Sequence, residues 1–226
     1  NLTLERGQSL AIVGATGGGK TTLVNLLARF YEPTSGVIAL DGIDYRERSL
    51  NFLQSNLGVV LQTSHIFAGT VRENIRYGQL SATDDAIRAA AEAAGAAQMI
   101  EQLDQGYDTK IEEGGASLSS GQKQLIAFTR ALLKDPQILI MDEATSSVDT
   151  LTEKRIEQGL RALLKDRISV IIAHRLSTIR HADQICVLDQ GQIIEMGRHE
   201  DLIAIEGKYH ALFMQQSLSN LWQHQS

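Results

Sequence analysis

The sequence predicts an α/β fold with a mainly parallel sheet as its core and an α-helical subdomain inserted into that core. Three observations carry this. Short apolar runs recur along the chain as LAIVG, GVVL, ILIMD and ISVIIAH, each the length of a buried strand. Helical stripes separate most of them, and strands alternating with helices argue for a parallel sheet covered on both faces. An alanine-rich stretch then interrupts the alternation near the middle of the chain.

Taken in order, Leu10 to Gly14 reads as a buried strand that stops at glycine. TTLVNLLARF follows with Leu23, Leu26, Leu27 and Phe30 on one helical stripe, and Pro33 ends the pattern. Val37 to Leu40 reads as a strand turned by Asp41-Gly42, and Leu57 to Leu61 as a further buried strand. From Thr70 to Lys134 the pattern is helical, with Ile87, Ala90, Ala91 and Ala94 on one face. Residues 1–69 and 135–226 are therefore assigned to the α/β core and 70–134 to the helical subdomain.

Strands return at Ile138 to Asp142. TLTEKRIEQGLRALL opens with a capping-box pattern, Thr150 and Glu153, and continues as a stripe of Ile156, Leu160, Leu163 and Leu164. Ile168 to His174 is a β-branched strand. ICVLD and QIIEM, joined across Gln190-Gly191, read as a hairpin. The stretch from Glu200 onward reads as helical and packed on the surface.

Bulk properties exclude several classes. A formal net charge of -6 over 226 residues repels a phosphate backbone, so nucleic acid is not an expected partner. The single cysteine, Cys186, rules out a disulfide framework or a cysteine metal cluster and reads as a buried strand thiol. The longest apolar runs fall well short of a membrane span. The chain enters in mid-strand without a leading methionine, as expected of an excerpt from a longer polypeptide.

The chemistry starts at GATGGGKTT, residues Gly14, Ala15, Thr16, Gly17, Gly18, Gly19, Lys20, Thr21 and Thr22. It fits G-x-x-x-x-G-K-[ST] between a predicted strand and a predicted helix, the context that pattern requires. Glycines let successive backbone N–H groups converge on an anion, and the helix N-terminus adds its dipole there. Lys20 supplies a full charge for the β- and γ-phosphates of a nucleotide. Thr21 offers a hydroxyl to Mg²⁺, and Thr22 reaches another phosphate.

A cradle only binds; hydrolysis also needs a metal ligand and a group that positions water. ILIMDE supplies both. Its apolar residues bury the strand and leave Asp142 at the C-terminal end, where open α/β sheets keep their sites. Asp142 is the candidate Mg²⁺ ligand, and Glu143 the candidate group for orienting or deprotonating the attacking water.

LSSGQ, Leu118 to Gln122, precedes ILIMDE and begins the helix QKQLIAFTRALL. It resembles the signature of ATP-binding cassette (ABC) ATPases, usually LSGGQ. Other family marks fall in order: Gln62 after GVVL resembles the Q-loop, Ser147-Val148-Asp149 the D-loop, and His174 the switch histidine. QTSHIFAGTVRENIRYG is similar to exporter-type cassettes, whose membrane domain precedes the ATPase on one polypeptide. The resemblance spans nearly the whole chain and implies a RecA-like P-loop NTPase core.

It also implies partners and roles. Two cassettes, identical or different, would pack head to tail with ATP between them. The Gly14–Thr22 cradle of one would face Ser119, Ser120, Gly121 and Gln122 of the other. Gln62 and Asp149 would join the nucleotide contacts, Gln62 also as a Mg²⁺ ligand, and His174 would contact the γ-phosphate. The parent would sit with its cassette at the cytoplasmic face of an inner or plasma membrane.

Some positions depart from the family pattern. Ser120 stands in place of the usual first signature glycine, and Gly114 where exporters carry arginine. The resemblance implies an adenine-stacking aromatic upstream of the phosphate loop, and none precedes Gly14 here, so either that ring lies in sequence before Asn1 or the base is held weakly. Two further readings compete with an exporter ATPase: a nucleotide-gated dimerisation switch with little turnover, and a soluble ABC ATPase outside transport.

Overall fold

The computed structural model describes residues 1–61, 65–142, 150–173 and 176–223, of which 150, 176–177, 216 and 218–223 are described in backbone only. Elements follow in chain order. The first half carries β1 (Ser9–Val13), α1 (Lys20–Leu27), β2 (Ala39–Leu40), β3 (Ile43–Asp44), α2 (Leu50–Asn56) and β4 (Leu57–Val60). Then come β5 (Gly69–Thr70), α3 (Val71–Arg76), α4 (Asp84–Ala93), α5 (Ala97–Glu101), β6 (Lys110–Ile111) and α6 (Ser120–Lys134). The rest is β7 (Ile138–Asp142), α7 (Thr150–Leu164), β8 (Ile168–Ile172), α8 (Leu176–His181), β9 (Gln184–Asp189), β10 (Gln192–Gly197), α9 (His199–Ala204) and α10 (Lys208–Gln223).

These elements fall into two compact units: Asn1–Leu53, Ile140–Glu143 and Ile168–Ser226 form the first, and Gln54–Leu139 with Ala144–Arg167 the second. In the first unit the strands lie in the order β10-β9-β1-β8-β7. β1 pairs parallel with both β8 and β9, Ala11 standing opposite Ile171 on one side and Ile185 on the other. All five residues of β1 are buried, which explains why its sequence is a continuous apolar run rather than an alternating one.

The core of this unit gathers Leu10, Ile12, Val170, Cys186 and Leu188, with Leu23 and Leu27 of α1 packed against it. Each such aliphatic side chain contributes roughly 1.5–3 kcal/mol on burial. Cys186 is fully buried, and burial pushes its thiol pKa up, so it is an inert core residue. β9 and β10 form the expected hairpin: Gln190 and Gly191 both have positive φ, 48° and 77°, as a type I′ turn requires.

α1 and the strand read from Val37 are shorter than their patterns imply, and β4 and β8 end at Val60 and Ile172, before the predicted Leu61 and His174. α1 stops at Leu27 although the apolar stripe runs to Phe30. The cause is a Schellman motif: Arg29 takes a left-handed conformation, its N–H donates to Leu26 O, and the Phe30 N–H donates to Asn25 O. The Arg29 guanidinium then donates to the carbonyls of Tyr45 and Arg48, which fixes the chain after the turn. The strand read from Val37 begins only at Ala39, and Val37 is 65% exposed.

The second unit is organised around α6, whose Leu125, Ile126, Phe128 and Leu133 are buried. It packs against α3, α4, α7 and β4. α7 comes close because of a glycine: a Cβ at Gly159 would lie 2.6 Å from Ala94 O and 3.0 Å from the Phe128 ring. α4 buries Ile87, Ala91 and Ala94 and leaves Ala90 half-buried, close to the predicted face. Arg130 of α6 donates to the carbonyls of His65 and Asn74 and lies over the Phe67 ring. The predicted cap of α7 rests on Thr150, whose side chain lies outside the described residues.

Candidate functional site

The glycine-rich stretch leaves β1 and enters α1 in the first unit. Gly14 has no room for a side chain: a Cβ would sit 2.2 Å from Leu188 O of β9. Gly19, at φ 99°, is the N-cap of α1, and no side chain caps that helix end. A Cβ there would press on Gly191 of the β9–β10 turn at 3.3 Å. The loop is therefore moulded on the hairpin, and the Gly191 N–H donates to Gly18 O at 3.0 Å to hold it there.

The helix end that results is an anion site by construction. The first N–H groups of α1 have no intrahelical acceptors, and the dipole favours negative charge there. Ala15, Thr16 and Gly17 form an exposed rim, and Gly18 is buried beneath it. Thr21 and Thr22 are exposed, and no hydrogen bond engages their hydroxyls among the described residues.

Lys20 is half-buried and folded back, its Nζ donating to Gly14 O at 2.8 Å and Ala15 O at 2.9 Å. Burial pushes its pKa down, while the negative charge of Asp142 pushes the other way. Asp142 ends β7, the position expected for it. The donor set of uncapped N–H groups, a lysine and two free hydroxyls fits a phosphate chain. One carboxylate plus a threonine hydroxyl suits Mg²⁺, which takes most of its remaining ligands from phosphate and water. No group of three or more His, Cys, Asp or Glu side chains is placed to hold a metal among the described residues.

LSSGQ lies in the second unit at the start of α6. Ser119 is the N-cap, its Oγ accepting from the Gln122 N–H at 3.2 Å while Gln122 Oε1 accepts from the Ser119 N–H at 2.8 Å. The motif is thus a capping box. Because the Ser119 hydroxyl accepts in this pair, its own proton remains available to a ligand. Ser119 and Ser120 are exposed and Gly121 is buried, so the Ser120 side chain points into open space within its own unit. Gln62, Glu143, Ser147, Val148, Asp149 and His174 lie outside the described residues.

One feature near the loop escaped sequence reading. Tyr209, Leu212 and Phe213 of α10 line a small pocket together with Gly14 and Lys20. Their i, i+3, i+4 spacing marks a buried helical face, but nothing in it names what the face covers. His199 is half-buried with its Nδ1 2.7 Å from Tyr209 Oη. Burial lowers the His199 pKa and raises that of Tyr209 to about 12, so both partners stay neutral near pH 7.

Comparison with known proteins agrees with this geometry. The profile of the family described as ABC transporter matches residues 1–146. The chain is similar to the ABC transporter ATP-binding protein YfiC of Bacillus subtilis (strain 168), at 53% identity over 214 residues, covering 95% of this chain and 35% of that protein. It is also similar to an ATP-dependent lipid A-core flippase of Desulfotalea psychrophila, at 48% identity over 216 residues, covering 96% of this chain and 38% of that protein. A solved structure of a bacterial Atm1-family ABC exporter with ATP bound superposes with a TM-score of 0.87 at 44% identity, covering 93% of this chain and 37% of that one. The chain spans little more than a third of the length of the curated relatives it matches. With a P-loop NTPase fold and a phosphate loop of this form, it belongs to the ABC transporter family as an ATP-binding domain.

Proposed function

We propose that this chain is the ATP-hydrolysing module of an exporter, working as one of a head-to-tail pair. The observation that carries the reading is the phosphate loop: an uncapped helix N-terminus, moulded by glycines, with Lys20 resting on neutral carbonyls. A triphosphate offers Lys20 charged acceptors, and charge-assisted bonds are roughly twice as strong as neutral ones. The ammonium would leave Gly14 O and Ala15 O for the β- and γ-phosphates.

Thr21, Asp142 and Gln62 would hold Mg²⁺, which when bound neutralises developing phosphate charge. Glu143 would orient or deprotonate the attacking water, and His174 would contact the γ-phosphate. Ala15 to Gly19 and Thr22 would supply further phosphate contacts. The remaining donors would come from a second cassette, identical or different: the Ser119 hydroxyl, the Gly121 N–H and the start of α6, with Ser120, Gln122 and Asp149 beside them. Residues 70–134 would form the helical signature subdomain that presents them.

The parent would carry a membrane-spanning domain on the same polypeptide and place this cassette at the cytoplasmic face. Relatives named as ATP-binding/permease proteins support that arrangement. No helix among the described residues is long and apolar enough to cross a membrane, so a span would have to come from other sequence.

Glu143→Gln tests the reading. Loss of the base should cut turnover about a hundredfold or more while nucleotide still binds, leaving an ATP-loaded dimer detectable by gel filtration. Unchanged turnover would instead favour a binding switch and remove the hydrolytic role.

A further inference from the structure

α10 helps to line a pocket beside the phosphate loop. Tyr209, Leu212 and Phe213 of α10 form a wall of that pocket, which Gly14, Lys20 and Ile179 of α8 also line. The helix that supplies this wall is anchored at its start. Glu195 of β10 accepts from the Lys208 N–H at 2.5 Å and the Tyr209 N–H at 2.9 Å, a carboxylate seated on the positive end of the helix. Tyr209 is bonded to His199, and the Phe213 ring centroid lies 4.9 Å from that of His199 and 5.9 Å from that of Tyr209. β10, through Glu195, and α9, through His199, thus hold the wall in place.

A lysine side chain has rotamer entropy to lose when it is fixed on a ligand. A wall that already confines the stem removes part of that cost before binding, which is preorganisation.

We propose that Tyr209 and Phe213 are positioning residues of the phosphate site: they back the Lys20 stem and the Gly14 turn and hold the ammonium where it can pass to phosphate. They act through Lys20 and touch no nucleotide themselves. This rests on the nucleotide reading above and adds a structural dependence of ATP affinity on the C-terminal helix.

Calorimetric titration of the chain with ATP tests it, because the method gives affinity and stoichiometry separately. Phe213→Ala should weaken the ATP Kd about tenfold with stoichiometry unchanged. Phe213→Leu, which keeps apolar bulk, should recover most of the loss. Met214→Ala, on the exposed side of the same helix, should match the parent chain. A Phe213→Ala chain with the parental Kd overturns the proposal, and so does one whose stoichiometry falls while its Kd holds, the mark of a merely structural role. Should that variant fail to fold, Glu195→Gln, which loosens the anchor only, should weaken Kd about threefold, and an unchanged Kd there is equally fatal. If the parent chain itself binds no ATP, the nucleotide reading falls first, and this inference falls with it.

Discussion

Lys20 satisfies its charge with two loop carbonyls while waiting for a better acceptor. Replacing it by methionine keeps the stem and removes the charge. Hydrogen bonds to charged groups contribute about 1.5–3 kcal/mol, so Lys20→Met should weaken ATP about ten- to hundredfold, read as Kd by titration. An unchanged Kd would mean that the phosphates sit elsewhere. The lysine and its glycines were legible in sequence because the spacing G-x-x-x-x-G-K-T is itself a geometric requirement. The reason for Gly14 was not legible: the atom that forbids its Cβ is Leu188 O, brought against it by β9 from far down the chain. Glu143, His174, Gln62 and Asp149 were nominated by motif and lie outside the described residues, so their roles rest on chemistry and resemblance.

At the scale of elements, the strands of the sheet announced themselves because burial on both faces leaves no polar alternation to confuse the pattern. The hairpin was marked by Gln190-Gly191, two positions able to take positive φ. The end of α1 was hidden, since Arg29 in a left-handed conformation is not what an arginine advertises; tertiary bonds to Tyr45 and Arg48 hold it there. LSSGQ was read for its nucleotide contacts, and its capping box adds that the same residues start the helix they would present to a ligand. Within the second unit, the contact between α6 and α7 depends on a missing side chain. Gly159→Ala would push a methyl group against Ala94 O and Phe128. It should cost about 1–3 kcal/mol, seen as a lower urea midpoint with an unchanged slope. A midpoint equal to that of the parent chain would show that the two helices can separate without penalty.

For the whole molecule, the acidic balance and the lack of a cysteine framework narrowed the field, but the ordered set of motifs identified the family. Each unit holds one kind of anion-seeking helix end: α1 with the glycine loop in the first, α6 with its capped serine in the second. On the proposed function, the α6 end would serve the nucleotide of a partner cassette, and one chain would bind ATP without completing a site alone.

ATP turnover per chain, measured against protein concentration with light scattering reporting the association state, tests that claim most directly. Turnover per chain should fall toward zero as the sample dilutes into monomers and rise with the dimer fraction. Constant turnover in a sample that scatters only as monomer would contradict the shared site.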